Sequence, residues 1–489
     1  MPEEQSRGQP LTPCACGRTR REFLWQAGAG FTGLALTYLL DREGFFSRAA
    51  LAAPPSVSSA GSLLPKEPHF PGRAKSVIFL FMYGGPSQVD TFDPKPELQK
   101  RDGQKVKIET RRRQFTEGTL LASKRTFKRC GKSGLEISDL FPHLSECAGE
   151  LAIVRSMYAD SFAHGSAMLQ MNSGSLFQGR PCLGSWISYG LGTESQELPA
   201  FVVMIDPRGG PISGAQNWSA GYMPASFQGT QLRASGDPII DLEPSAGTSR
   251  EMRRDQLAAL EKLNAEHLAS RPGYSELSAR IASYELAYRL QASAPEAADV
   301  SGESEATKEL YGLNDQRTAD FGRKCLLARR LVERGVRFIQ LYSGGGHFDE
   351  NWDAHNGMEK NHQLHAGETD RPIAGLIRDL KRRGLLDSTL IVWGGEFGRQ
   401  PISQNGIGRD HNPKGFCMWL AGGGVRGGIA VGETDELGHQ AVLSPYHVRD
   451  LHATILHLMG IDHQKLTYFY GGRNQRLTDV GGNLIREII

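Results

Sequence analysis

Hydrophobic residues in this chain gather into short unbroken runs, separated by longer stretches of mixed or amphipathic character. The clearest run is Ser76-Val77-Ile78-Phe79-Leu80-Phe81-Met82, which stops at Gly84-Gly85-Pro86. A continuous apolar run of this length, closed by turn residues, fits a strand buried on both faces of a sheet. Comparable runs occupy residues 151–154, 201–205, 336–342, 389–393 and 416–420. Helical periodicity lies between several of them. It predicts helices over 255–268 and 275–291, both in a charged block that reads as a helical insertion over 241–307. Two more are predicted over 318–334, closed by Gly335, and over 368–383, closed by Gly384; glycine past a basic last turn is a helix stop. Helices alternating with buried strands predict an α/β fold with a mostly parallel central sheet flanked by helices, whose sites lie beyond the carboxyl ends of the strands.

The first 74 residues have a different character. Thr19-Arg20-Arg21-Glu22-Phe23-Leu24 places paired arginines before an apolar stretch over 25–40 that is diluted by Gly28, Gly30 and Gly33. That stretch is about sixteen residues, short of the roughly twenty that a spanning helix needs. Ala50-Leu51-Ala52 then offers a small-residue cleavage site. Residues 1–52 are therefore expected to be a twin-arginine signal, which implies the Tat translocase as a partner, export in a folded state to the periplasm or beyond, and no permanent membrane span. Residues 53–74 are expected to be a flexible linker, rich in Pro, Ser and Ala, with the folded domain over 75–489.

Composition changes this picture little. The chain has 489 residues with 56 Lys plus Arg against 54 Asp plus Glu, so no global attraction to nucleic acid is expected. Arg111-Arg112-Arg113 is a solvated loop by this reading, since it lacks interleaved aromatics. Of seven cysteines, Cys14 and Cys16 fall in the leader. Cys130, Cys147, Cys182, Cys325 and Cys417 are widely spaced, which argues against zinc ribbons and redox pairs, while one disulfide such as Cys130 with Cys147 is open to an exported protein.

The candidate chemistry follows the strands. After the first come Gly84-Gly85-Pro86-Ser87-Gln88-Val89-Asp90, and after the run at 336–342 comes a loop holding His347, Asp353 and His355. After 389–393 come Glu396 and Arg399, and then Asp410-His411. Carboxylates with imidazoles are what a divalent ion such as zinc or manganese needs, and one or two such ions can polarise an ester and activate a nucleophile. The metal candidates are Asp90, Asp353, His355, Glu396, Asp410 and His411, with Asp353, His355 and His411 the best supported set. Ser166 at a helix start is the candidate nucleophile, though it is equally an N-cap. His164 is a candidate ligand or acid/base, and Arg399 or Arg409 a candidate clamp for an anionic ester.

These motifs resemble those of the DUF1501 family, secreted sulfatase-like proteins. The resemblance rests on the leader, on Gly84-Gly85-Pro86-Ser87 with Asp90 through Pro96, on Trp352-Asp353-Ala354-His355, on Gly395-Glu396-Phe397-Gly398-Arg399 and on Gly408-Arg409-Asp410-His411. It implies a domain like alkaline phosphatases and sulfatases, with Asp90 and Glu396 on one metal and Asp353, His355 and His411 on the other. The chain departs from that pattern in three ways. Glu396-Phe397-Gly398 stands where Asp-His-Gly is expected, and Cys182 is followed by Leu183-Gly184-Ser185, which is no formylglycine precursor. Where many relatives read Asn-His-Asp, this chain has Ala163-His164-Gly165, without the second carboxylate. The expected function is an exported metal-dependent hydrolase of phosphate or sulfate esters that works without formylglycine; the alternative is an inactive binding or structural protein of the envelope on the same fold.

Overall fold

The computed structural model describes residues 63–489 apart from 112–113, 196, 237, 239–249, 270–289, 291–292, 347–349 and 404. The expected leader over 1–52 lies outside the described residues, as does nearly all of the helix expected over 275–291.

Six of the central strands are the six apolar runs. In chain order the sheet contains β1 (Ser76–Met82), β2 (Leu151–Tyr158), β3 (Phe201–Met204), β4 (Thr230–Gln231) and β5 (Phe338–Ser343). It is completed by β6 (Thr389–Gly394), β7 (Phe416–Ala421), β8 (Ile429–Val431) and β9 (Tyr446–His447). The order is β8-β2-β7-β6-β1-β5-β3-β4, with β9 also beside β2. β7 runs antiparallel to β6 and β2, and every other pairing is parallel. Strands β4, β8 and β9 have two or three residues each. They are too short to show a hydrophobic period, and pairing with a longer neighbour creates them.

The run in β1 is apolar at every position because both faces of the sheet are covered. Ile78, Leu80 and Met82 pack with Leu326 and Leu327 of α5 (Ala319–Glu333) and Leu376 and Leu380 of α6 (Met358–Arg382). Val77, Phe79 and Phe81 join the opposite core, with Met168 of α2 (His164–Ser173), Trp186 and Ile187 of α3 (Leu183–Leu191) and Leu451 and Ile455 of α7 (Val448–Leu458). Each such side chain contributes about 1.5–3 kcal/mol by leaving water, so the two cores hold the strands in place far more firmly than local propensity does.

Three expectations change. Helix α6 begins ten residues before position 368 and runs through Pro372. Its amphipathic stripe, which buries His365, Ala366, Ile373 and Leu376, outweighs the lost backbone hydrogen bond. The described part of the linker does not hang free. Lys66 N and His69 N donate to the Leu191 and Gly460 carbonyls at 2.9 Å, and Arg73 N to Leu458 O at 2.8 Å, so residues 63–74 are strapped along α3 and α7. All five described cysteines are free and buried, which rules out the Cys130–Cys147 bond. Of the helical insertion, Arg250–Ala269 is described and covers the helix expected over 255–268. Among the described residues no helix is long and apolar enough to cross a membrane.

Candidate metal centre

Strands β1, β5 and β6 lie side by side, and their carboxyl ends are level: Met82 faces Ser343, and Phe81 faces Gly394. The turns that follow them therefore emerge along one edge, as expected for an open α/β sheet. Gly84 lets two of these turns touch. Its φ is +112°, and a β-carbon there would collide with the Asp353 amide nitrogen and come within 2.7 Å of Asn351 Oδ1. With that space open, Trp352 N donates to Tyr83 O at 2.9 Å and Asp353 N to Asn351 Oδ1 at 2.7 Å, which fixes the Asp353 backbone beside the first turn.

Asp353 is the hub. Oδ1 lies 3.1 Å from His355 Nε2 and 3.1 Å from His411 Nε2, while Oδ2 lies 3.1 Å from His164 Nε2. The two imidazoles at Oδ1 are themselves 2.9 Å apart, Nε2 to Nε2. Arg399 Nη2 donates to Asp353 Oδ1 at 2.6 Å. A short antiparallel pairing of Gly398–Arg399 with His411–Asn412 sets Arg399 opposite His411 and so delivers both residues to one point. Phe397 stacks on the His411 ring at 4.5 Å and supports it from the side.

The outer nitrogens of two imidazoles are fixed. His411 Nδ1 donates to the Phe162 carbonyl at 2.7 Å, and His164 Nδ1 donates to Glu396 Oε1 at 2.6 Å. Glu396 is fully buried and also accepts from Gly84 N at 3.1 Å. Burial pushes the His411 imidazole down to about 4 despite its bond to Asp353. Burial acts the same way on His164, but the neighbouring carboxylates of Asp353 and Glu396 overcome it and raise it to about 9. Burial opposes ionisation of Asp353, yet the Arg399 guanidinium and the three imidazoles hold its carboxyl far below the usual range.

These contacts fit a metal ion. With its proton held at Nδ1, a neutral His411 turns a lone pair toward Asp353 Oδ1, an acceptor facing an acceptor. His164 Nε2 is buried and forms no aligned hydrogen bond, although a carboxylate oxygen is 3.1 Å away. The facing acceptors at His411 suit a shared cation, and an imidazole that gives its other N–H to a carboxylate or carbonyl is the usual arrangement of a histidine ligand. Among the described residues two groups have ligand atoms all within 4.8 Å of one another, His164–Asp353–His411 and His355–Asp410–His411, and they share His411.

The remaining candidates separate from this centre. Asp90 is buried and takes Arg409 Nε at 2.9 Å and the Ser87 hydroxyl at 2.5 Å on one oxygen. Burial opposes its ionisation, and Arg409 with Ser87 outweighs that and lowers its pKa. Neither Asp90 nor Glu396 belongs to either donor group: one carboxylate satisfies a guanidinium and the other orients His164. Arg399 is fully buried and donates to the Gly84, Gly85 and Arg409 carbonyls as well as to Asp353, so it is no open clamp for an anion. Ser166 is not an N-cap. Helix α2 starts at His164 with Ala163 as its cap, and the Ser166 hydroxyl lies 2.6 Å from that of Ser161 and donates to Ala163 O at 3.3 Å. The Phe162 carbonyl, Asn351 and Phe397 are contributors that residue type does not single out. Only the nearness of Phe162 to His164, and of Asn351 to Asp353, marks them in the sequence.

An α/β sheet with a histidine and carboxylate centre at the ends of its parallel strands defines the class. Within it, the chain belongs to the DUF1501 family, a family described as of unknown function, whose model matches residues 74–489. No curated protein matches the chain. Similar solved structures include the lipoteichoic acid synthase LtaP from Listeria monocytogenes, at 10% identity over 87% of this chain and 80% of that one, with a TM-score of 0.35. Another is a phosphonate monoester hydrolase from Silicibacter pomeroyi, at 13% identity over 71% of each chain and a TM-score of 0.32. Alkaline phosphatase from the Antarctic bacterium TAB5 is 12% identical over 79% of this chain and 98% of that one, with a TM-score of 0.29.

Proposed function

We propose that this protein is a metal-dependent hydrolase of phosphate or sulfate esters, independent of formylglycine and exported by the Tat route to act outside the cytoplasm. The observation that carries the reading is the ring of three Nε2 atoms around the Asp353 carboxylate, two of them with their outer N–H already committed. Asp353, His355 and His411 would hold the ion, with His164 and Asp410 completing the two donor groups. Zinc or manganese suits such nitrogen and oxygen donors. When bound, the metal supplies Lewis-acid polarisation of an ester oxygen and a more acidic water.

The chain's own groups have separable tasks. Arg399 fixes Asp353 and neutralises part of the charge of the centre. The Phe162 carbonyl holds the His411 tautomer, and Glu396 does the same for His164. His164 then presents Nε2 to the centre, where it can take up and return a proton. The nucleophile is Ser166 or a water; the Ser166 hydroxyl is held 2.6 Å from that of Ser161.

The test joins metal content to turnover. Protein reconstituted with zinc or manganese should bind the ion and cleave an aryl phosphate or sulfate ester, and Asp353→Asn should lose both properties while remaining folded. Failure to bind either ion after reconstitution, by elemental analysis, would overturn the reading.

A further inference from the structure

The Phe162 carbonyl that holds His411 and the His164 imidazole both hang from one short loop. Residues 159–163 join the end of β2 to the start of α2, so they carry Phe162 O, which accepts from His411 Nδ1 at 2.7 Å, and lead directly into His164. The loop begins and ends on fixed contacts. Ala159 N donates to Pro413 O at 2.8 Å, two residues past His411, and Ala163 N donates to the Ser161 hydroxyl at 3.1 Å.

Asp160 is the one charged residue of this loop, and its carboxylate draws donors from two other elements. Gln170, fully buried on α2, donates through Nε2 to Asp160 Oδ2 at 2.5 Å and accepts from Asp160 N at 2.9 Å, which grips backbone and side chain together. Arg449 Nη2, from the first turn of α7, donates to the same oxygen at 3.1 Å. His447 caps that helix and accepts from Arg449 N at Nδ1, so its Nε2 carries the proton, and this nitrogen lies 3.2 Å from Asp160 Oδ2. The start of a helix also favours a carboxylate in front of it. With the Asp160 side chain 34% exposed, these contacts add little to overall stability. What they fix is direction, because Phe162 O stands only two residues further along the loop.

We infer that Asp160 is a positioning residue of the metal centre. By anchoring the loop to Gln170, His447 and Arg449, it aims the Phe162 carbonyl at His411 Nδ1 and so turns the His411 Nε2 lone pair toward the ion. The inference rests on the metal-dependent reading and adds to it a residue outside both donor groups.

Two measurements test it: zinc affinity by competitive titration, and the His411 tautomer by nitrogen NMR of the metal-free protein. Asp160→Ala should weaken zinc by about fivefold, less than the loss of a group that bonds a ligand directly. It should also move part of the His411 population to the Nε2–H form, since the partner at Nδ1 sets which nitrogen holds the proton. Asp160→Asn keeps the shape and one acceptor; it should move both readouts in the same direction by a smaller factor, and it replaces the alanine variant if that one does not fold. In a His411→Ala background, Asp160→Ala should weaken zinc by less than about twofold, because the two changes act through one contact. Unchanged affinity and tautomer in the Asp160 variants, or a loss that adds in full to that of His411→Ala, overturns the inference and leaves the metal centre standing. A wild-type protein that takes up no zinc overturns the metal-dependent reading and the inference with it.

Discussion

Two polar regions lie just beyond the same strand ends, and they answer the problem of buried charge in opposite ways. Around Asp90 the carboxylate has its cation built in: Arg409 at 2.9 Å, the Ser87 hydroxyl at 2.5 Å, and His362 Nε2 accepting from Ser87 N at 2.8 Å. Around Asp353 the guanidinium of Arg399 is joined by three imidazole nitrogens at 3.1 Å, at least one of which presents a lone pair. The first region draws its cation from the chain itself, although Asp90 Oδ1 and Arg409 Nη2 stay buried without a hydrogen-bond partner. The second gathers three imidazoles on one carboxylate and sets His411 Nε2 as an acceptor toward Asp353 Oδ1, and that donor set marks it as the candidate metal centre, although both contain residues of metal-ligand type.

The difference can be broken most forcefully at Asp90. Asp90→Ala leaves the Arg409 guanidinium buried and unpaired, which should cost about 3–5 kcal/mol of stability in denaturant unfolding. Metal stoichiometry of the folded fraction should not change. A stable Asp90→Ala protein with lost metal would show that the two regions had been assigned the wrong way round.

His411→Ala should show the reverse pattern. Metal affinity, by competitive titration, is expected to fall at least about 10- to 100-fold, the loss typical of even an outer partner. The metal-free protein should lose about 1–3 kcal/mol, since a mostly buried imidazole and its bond to the Phe162 carbonyl are removed while no buried charge is left unpaired. A large loss of stability without a change in affinity would make His411 a structural residue.

The smallest effect is a pH dependence of the sealed region. Burial pulls the His362 imidazole down to about 3 from its ordinary 6.5. Between these values the unfolded chain binds a proton that the native protein refuses, so stability is fully present above 6.5 and declines as pH falls toward 3. Urea midpoints at neutral pH and at about pH 5 should differ in that direction, and His362→Gln should flatten the slope. An unchanged slope in the variant would assign the acid sensitivity to other groups.

Much of the centre is legible in the order of residues along the chain. Asp353, His355 and His411 stand in glycine-bounded loops after apolar runs, and those runs are strands because a sheet covered on both faces needs them apolar throughout. Arg399 is legible as a residue of the site but not in its role. A guanidinium next to expected metal ligands suggests an anion clamp, and nothing in its neighbours reveals that the Gly84 and Gly85 carbonyls, in a turn more than three hundred residues earlier, consume its donors. The contacts of Asp90 and Glu396 are hidden for a related reason. Residue type and order along the chain single out both carboxylates, but not that Arg409 faces one and His164 the other.

What the sequence determined by itself is whatever short-range physics controls. Hydrophobic period sets which segments become strands and helices, glycine allows the turn at position 84, and side-chain chemistry supplies donors that suit a divalent ion. Tertiary structure decided which donor faces which. Arg409 reaches Asp90 across 319 positions, and Glu396 reaches His164 across 232. These contacts exist because the strand order β6-β1-β5 brings three turns to one edge and α2 closes over them. Coulombic and hydrogen-bond energies depend on distance in space, so a charged residue's role becomes fixed only when the sheet has chosen its neighbours.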